Sequence, residues 1–349
     1  MLLAILAETV PLRRLATTWR ERSLDIAEVS GSPRDVALAL SRAAVIYLGT
    51  CRWQESLAAL TEAATLAEEV GDVRLLEETQ SQLSAHYLFV GEYERGIAAK
   101  QRGLALSRRR GNRQAQCWAL IGLGDMYTRL GRPAEAVPSY DEGLAKIDER
   151  TTTADTIWGM GMRALARQRA GDQAGALASA RGALALLMTT QPVGYWVQHG
   201  TAATAEVFLT ILECHAATLG ERRADLIREA RHATACMRQF ARRFPVGRPH
   251  AALWSGLEAF LSGHCARAFR LWRRTIATAT ELGTPYEAAR AHFEIGHRLP
   301  AGDPTRRTHL EQAREIFARI GCAIELEWTE QALSATADFT DSRIRNLDP

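Results

Sequence analysis

Glycine-containing turns recur every 40 residues through the first half of the sequence. Three segments align without gaps, at residues 91–97, 131–137 and 171–177. A second glycine series has the same interval and runs 20 residues out of phase, at Gly31, Gly71 and Gly111. Glycine readily adopts the left-handed conformation in which many helices end. Two such series therefore predict two helices in each repeat.

The composition favours helices over strands. The chain is 47% hydrophobic but only 7% aromatic. It is rich in Ala, Leu, Arg and Glu, which favour helices, and it lacks the runs of Val, Ile and Thr that strands prefer. Because each unit of a repeat array contacts only its neighbours, such an array can continue over 349 residues. We therefore predict an all-α stack of about fifteen helices without a β-sheet.

The unit around the turn at Gly131 carries small and aromatic residues at helical intervals. They are Leu123, Gly124, Tyr127, Ala136, Tyr140 and Gly143. Their spacing resembles the pattern of the tetratricopeptide repeat (TPR) family, from which Gly143 departs at the last small position. The neighbouring units follow the pattern less fully. The resemblance implies a TPR-like right-handed α-solenoid of about seven helical hairpins.

The 40-residue period exceeds the usual TPR length. In this it resembles the longer repeats of the MalT-like region of bacterial signalling proteins, transcriptional regulators and cyclase-type ATPases. There the repeats accompany an ATPase module and cyclase-type or DNA-binding output domains. The resemblance therefore implies the regulatory region of a larger bacterial signalling protein, with an ATPase, cyclase or DNA-binding domain of the same polypeptide as a partner. The opening half-hairpin, residues 12–29, gives the same expectation.

The turns divide the chain into four parts. We expect a partial N-terminal repeat at 1–33, four regular 40-residue hairpins at 34–190, three less regular hairpins at 191–322, and a capping helix with a polar tail at 323–349. The turns at Gly171 and Gly220 lie 49 residues apart. Because Pro192 and Gly194 interrupt helical register between them, residues 187–200 should depart from the regular stack and shape the binding region.

Motifs for catalysis, nucleotides and metals are missing from the sequence. It has no Gly-rich loop that ends in Lys-Ser or Lys-Thr, as a phosphate site needs. His292 and His297 are five residues apart, so they do not share the helix face of a zinc site. No Gly-x-Ser-x-Gly elbow or activated cysteine is present. We therefore predict a non-enzymatic protein with no catalytic residue, metal or cofactor.

Cysteine usage and hydropathy indicate where the protein works. The six cysteines are scattered singly, which favours free thiols in a reducing compartment over a disulfide framework. No apolar run approaches the roughly 20 residues that a membrane-spanning helix needs. We therefore predict a cytoplasmic protein without a membrane partner.

Charge is distributed unevenly. Residues 221–274 contain 12 Arg against 4 acidic residues. This balance fits either solvated helix faces or a surface for an acidic protein or nucleic acid. Nucleic-acid binding normally uses interleaved aromatic side chains for stacking, and Phe240 and Phe244 are thin support for it. We therefore expect that nucleic acid is not a partner.

In a TPR-like stack, the first helix of each hairpin lines a concave groove. The groove-facing positions of that geometry, together with the irregular junction segment at residues 187–200, predict eight candidate residues for binding a partner or ligand. They are Trp118, Asp125, Arg129, Trp158, Gln168, Arg169, Tyr195 and Trp196. Trp buries a large contact area, and Arg can hold a carboxylate with two hydrogen bonds. The alternative is that Trp118 and Trp158 belong to the core between repeats, and that the junction is packed as a plug.

Two functions remain open. The first is a protein-interaction or sensor module that binds a partner protein or peptide in the concave groove. The second is a small-molecule inducer-binding module of a transcriptional regulator. An open groove would favour the first function, and a deep enclosed pocket in the fourth and fifth repeats would favour the second.

Overall fold

Helices alone build the part of the chain that the computed structural model describes, residues 13–148, 152–192, 194–214 and 222–334. These ranges contain sixteen α-helices, one short 3-10 helix and no β-strand. The predicted all-α solenoid of about seven hairpins is thereby confirmed. Residues 1–12 of the expected partial repeat and residues 335–349 of the expected tail lie outside the described residues.

The α-helices follow one another with short connections. In chain order they are α1 (Arg13–Ser30), α2 (Pro33–Gly49), α3 (Trp53–Glu69), α4 (Val73–Val90), α5 (Tyr93–Arg110), α6 (Arg113–Arg129), α7 (Pro133–Leu144), α8 (Thr153–Arg169), α9 (Gln173–Thr189), α10 (Val197–Cys214), α11 (Arg222–Arg243), α12 (Arg248–Leu261), α13 (Cys265–Leu282), α14 (Pro285–Arg298), α15 (Pro304–Ile320) and α16 (Ala323–Ser334). Helices α2 to α15 pair into seven hairpins. Helix α1 precedes them and α16 follows them.

Local sequence explains why the helices end where they do. Gly111 ends α5 with φ +68°, a conformation that side chains with a Cβ atom avoid. The next residue, Asn112, accepts a hydrogen bond from the Ala115 backbone and so caps α6. Asp72 and Asp172 cap α4 and α9 in the same way. The Gly-Asp or Gly-Asn pairs therefore place helix ends at the predicted interval.

The stack is interrupted between α9 and α10, as the spacing of Pro and Gly predicts. Helix α9 ends at Thr189, and α10 begins only at Val197. All residues from 197 to 209 are buried. Gly161 of α8 and Gly200 of α10 bring the two backbones into contact. Helix α10 therefore lies at the centre of the molecule rather than on an open face.

The end of the array packs against the turns of the earlier hairpins. Trp53 Nε1 at the start of α3 donates a hydrogen bond to the Leu282 carbonyl oxygen at 2.6 Å. The Tyr93 hydroxyl oxygen lies 4.0 Å from the Cys322 sulfur, and Gly91 faces Ile320. A shared apolar cluster joins α4 to α6 with α14 to α16. The superhelix therefore closes on itself.

The apolar surface of the helices is used inside the protein. Among the described residues, no helix combines the length and the hydropathy that crossing a bilayer would require.

Candidate functional site

A cavity of about 350 Å³ lies between the first helices of the early hairpins and the α9–α10 junction. Its wall includes Val45 of α2, Phe89 of α4, Trp118 of α6 and Trp158 of α8, and Tyr195 of the junction closes one side. Pockets for small molecules typically enclose about 300–1,000 Å³. The cavity is therefore large enough for a small organic ligand.

Aromatic side chains from distant parts of the chain form one side of the cavity. The ring of Phe89 lies 4.9 Å from that of His199 and 6.0 Å from that of Tyr195, measured between centroids. The rings of Tyr195 and Trp196 meet edge to face at 5.6 Å. Such contacts fix the rings against one another. The junction is thus held in place by α4 and presents a rigid apolar wall.

Asp125 lies at the inner end of the cavity and is fully buried. Its carboxylate accepts hydrogen bonds from the Tyr140 hydroxyl at 2.8 Å and from Trp158 Nε1 at 2.7 Å. Burial raises its pKa to about 7, although both hydrogen bonds act in the opposite direction. Gly124 leaves room for the Tyr140 ring, since a Cβ atom there would lie 2.6 Å from it. The TPR pattern residues Gly124 and Tyr140 therefore position Asp125.

Lys100 reaches the cavity from the second helix of its hairpin, α5. The residue is only 4% exposed, and its side chain passes α6 at Gly122, where a Cβ atom would clash with it. Its Nζ donates a hydrogen bond to Ser81 Oγ at 2.9 Å. Burial lowers its pKa to about 8, against the opposing effect of the Asp125 charge. The cavity therefore contains a desolvated amine.

Four buried polar atoms of the cavity lining have no hydrogen-bond partner in the described part of the chain. They are Gln82 Oε1, Ser84 Oγ, Trp118 Nε1 and Trp196 Nε1. Most buried polar groups in proteins are paired, because an unpaired group loses the hydrogen bonds it made with water. The residues that line the cavity therefore include two indole donors, an amide acceptor and a hydroxyl group that lack partners.

The cavity brings together five of the eight sequence-predicted residues. These are Trp118, Asp125, Trp158, Tyr195 and Trp196. They come from α6, α8 and the junction, so residues up to 78 positions apart in sequence share one site.

The other three predicted residues lie outside the cavity, in the interior of the closed superhelix. Arg129 packs over the Tyr286 ring at 3.7 Å. Arg169 pairs with Glu325 and donates to the Thr128 carbonyl oxygen. Gln168 donates to a backbone carbonyl of α10 at 3.4 Å. All three connect the third and fourth hairpins to later helices.

Sequence reasoning did not select Phe89 or Lys100. Groove geometry names first helices only, whereas Lys100 lies on a second helix. One signal was present, since only Lys100 and Lys146 are lysines among the 43 basic residues. Lysine carries a compact ammonium group, whereas arginine carries a larger planar guanidinium.

Elsewhere in the described residues, the features that could bind a ligand are weaker than this cavity. A hollow of about 700 Å³ between α15 and α16 is lined mainly by charged and polar side chains, including the exposed Glu315 and Glu330. Within the described ranges, no group of three or more His, Cys, Asp or Glu side chains is arranged to hold a metal ion.

Seven helical hairpins in a closed stack define the protein as an α-solenoid of the helical-repeat class. The tetratricopeptide repeat family matches residues 75–149, which span most of α4 and all of α5 to α7. This part of the chain is therefore a TPR region, and the TPR resemblance seen in the sequence is confirmed for these residues. A fold of this type is generally a non-catalytic interaction scaffold.

Comparison with solved structures supports the same fold over most of the chain. A structure titled "Human IFIT1 dimer with PPP-AAAA" aligns with 95% of this chain and 71% of its own chain. The TM-score is 0.52 and the sequence identity is 14%, so the similarity concerns the fold alone. A search of curated protein sequences gave no match.

Proposed function

We propose that this protein is a non-enzymatic sensor module whose central cavity binds a small molecule. The observation that carries the proposal is the cavity itself, which combines aromatic walls with four unpaired buried polar atoms. An apolar pocket with a few polar groups is the usual form of a small-molecule site. Trp118, Asp125, Trp158, Tyr195 and Trp196 belong to this site, with Phe89 and Lys100 added.

The closure of the superhelix supports a small ligand over a peptide in an open groove. Helices α14 to α16 pack against the turns of the first hairpins, where Ile320 and Cys322 meet Gly91 and Tyr93. An extended peptide on this side would have to displace them.

We infer that the module is the regulatory region of a larger protein, and its resemblance to MalT-like regions supports this. A ligand in the cavity would touch four hairpins and the α9–α10 junction at once, so binding would change how the hairpins pack against one another. An ATPase, cyclase or DNA-binding domain of the same polypeptide would receive that change. The six cysteines are all free, which supports a cytoplasmic location.

A partner protein or peptide is the second candidate. The TPR match over residues 75–149 favours it, because the TPR fold generally binds proteins or peptides. Such a partner would use a surface that the closing helices leave exposed.

The first prediction concerns the cavity. In the wild-type protein, we expect the neutral probe 2-naphthalenemethanol to bind saturably with one molecule per chain, measured by isothermal titration calorimetry. Ala85 lines the cavity, so Ala85→Phe should fill the space and weaken binding at least tenfold, about 1.4 kcal/mol.

The matched control is Ala58→Phe. Ala58 is exposed on α3, so the same substitution there should leave binding unchanged. Absence of saturable binding to the wild-type protein, or equal binding by Ala85→Phe, would contradict the proposed function.

A further inference from the structure

We propose that the natural ligand of this cavity is an organic anion with a ring-containing body, whose carboxylate forms an ion pair with Lys100. This inference rests on the proposed function and specifies its ligand class. It depends on three observations: Lys100 has no carboxylate within ion-pair distance, the lining contains unpaired donors, and the other charged side chains are held by contacts of their own.

The Lys100 ammonium group lacks an anionic partner. Its Nζ is bonded to the neutral Ser81 hydroxyl, and no carboxylate of the described residues lies within ion-pair distance of it. An ammonium group carries three donors and no acceptor, and a buried charge without a counter-ion is costly. A ligand carboxylate would supply both the counter-charge and two acceptor oxygens.

The unpaired indole groups favour the same chemistry. Trp118 and Trp196 both line the cavity, and each has a buried Nε1–H without an acceptor; an indole nitrogen can only donate. Together with Lys100, the cavity therefore has three donor groups that need oxygen acceptors. A ligand with an ammonium group would leave all three unpaired and would repel Lys100.

The other charged side chains of the cavity are held by contacts of their own within the protein. Arg42 pairs with Glu78 at 3.0 Å, and the Asp155 carboxylate accepts hydrogen bonds from Thr152. Asp125 accepts two hydrogen bonds, and burial raises its pKa to about 7, so its negative charge is weakened. Lys100 is thus the cavity charge that a ligand would compensate.

The walls specify the rest of the ligand. Phe89, Trp118, Trp158 and Tyr195 provide flat apolar surfaces, which favour a planar ring system over a flexible polar body. Gln82 Oε1 and the Ser84 hydroxyl also lack hydrogen-bond partners. A further polar substituent on the ligand ring would complement them.

The test compares three probes that share one ring system: 2-naphthoate, 2-naphthalenemethanol and 2-naphthylmethylamine. Affinities are measured by calorimetry at pH 7 for the wild-type protein, Lys100→Met and Lys146→Met. Lys146 is the other lysine of the chain, pairs with Glu142 and lies outside the cavity. We expect wild type and Lys146→Met to prefer the carboxylate over the alcohol by about tenfold or more, and Lys100→Met to lose that preference.

Binding of the alcohol shows whether Lys100→Met retains a folded cavity. If the alcohol binds both proteins, and Lys100→Met prefers the carboxylate over the alcohol as strongly as wild type does, Lys100 is not the anchor and the inference is overturned. A wild-type preference for the alcohol or the amine overturns it as well. If none of the probes binds, the proposed function and the inference are both contradicted. If the alcohol and the carboxylate bind wild type equally well, only the inference is contradicted.

The pH dependence gives an independent readout. Raising the pH from 7 to 9 removes the proton of Lys100, whose pKa is about 8, so carboxylate affinity should fall about tenfold while alcohol affinity stays constant. The other titratable or charged groups of the cavity lining and around this amine are Arg42, Glu77, Glu78, Cys117, Asp125, Asp155, Tyr195 and His199. Asp125 also ionises near pH 7, and the Lys100 charge lowers its pKa, so in Lys100→Met the ionisation of Asp125 moves to higher pH and any remaining pH dependence comes from groups other than Lys100. A wild-type profile identical to that of Lys100→Met would contradict the inference.

Discussion

Two helix glycines, Gly122 of α6 and Gly161 of α8, allow different kinds of close contact. A Cβ atom on Gly161 would collide with the backbone of Gly200 in α10, which cannot move without shifting the helix. A Cβ atom on Gly122 would meet only the far end of the Lys100 side chain, which is flexible. The same substitution at the two positions therefore separates a backbone contact from a side-chain contact.

At the residue scale, we predict that Gly161→Ala lowers the free energy of unfolding by about 2–3 kcal/mol, because overpacking against a backbone forces two helices apart. Gly122→Ala should change it by less than about 1 kcal/mol, since the gain in helix propensity offsets the displaced lysine end. Urea unfolding measures both. Similar losses in the two variants would show that the α8–α10 contact is not the constraint described.

The sequence predicts part of the site at this scale. Trp118, Trp158 and Asp125 lie on first helices at groove-facing positions, and the small residue Gly124 follows from the TPR spacing. Phe89 and Lys100 could not be selected in this way, because their approach to the cavity depends on side-chain direction and on α10. Helical periodicity contains no information about either.

Helix α10 contributes titratable groups to the interior of the protein. It carries His199 and Glu206 into the buried centre. Burial lowers the pKa of His199 to about 3, and the nearby positive charge of Arg129 acts in the same direction. The imidazole is therefore neutral in the folded protein at neutral pH.

At the element scale, we predict that His199 makes the fold sensitive to acid. Its folded pKa of about 3 lies below the unfolded value of about 6.5, so the unfolded state binds the proton first. The contribution of His199 to the free energy of unfolding is fully present above pH 6.5, and it is lost as the pH falls towards 3. His199→Gln should reduce the slope of unfolding free energy against pH by up to about 1.4 kcal/mol per pH unit between pH 4 and 6.

The control is His232→Gln, since His232 is exposed on α11, and it should leave the slope unchanged. Asp125 and Glu287 act in the opposite direction, because their pKa values of about 7 are raised on folding and their ionisation disfavours the fold as the pH rises. The difference between variant and wild type cancels their effect. Equal slopes for wild type and His199→Gln would contradict the assignment.

The interruption before α10 was predictable from Pro192 and Gly194, whereas the burial of α10 was not. Its polar residues Gln198, His199 and Glu206 suggest an exposed face when the sequence is considered alone. Only the helices packed around it, α8 above all, explain why these residues are inside.

At the scale of the whole molecule, closure connects parts of the chain that the repeat pattern does not relate. Arg169 and Glu325 are 156 positions apart, and the Tyr286 hydroxyl donates to the same Glu325 carboxylate at 2.8 Å. A repeat period specifies contacts between neighbouring hairpins. The solenoid was therefore predictable from the sequence, and its closure was not.

We predict that Glu325→Ala lowers the free energy of unfolding by about 3 kcal/mol, because it removes the nearest carboxylate from the buried Arg169 guanidinium and leaves only Glu206, at 3.9 Å, to compensate its charge. Amide hydrogen exchange should also become faster around residues 91–93 and 131, which contact the closing helices. Glu327→Ala is the control on the same helix, since Glu327 is exposed. Exchange that changes only within α14 to α16 would indicate an open array.

Closure also has a consequence for how such a protein can evolve. Open solenoids gain and lose repeats by duplication and deletion, because a new unit needs only to match its two neighbours. Here an inserted hairpin would carry Glu325 away from Arg169 and Ile320 away from Gly91. We expect insertions and deletions among homologues to be confined to loops, with the number of hairpins between α2 and α16 held constant.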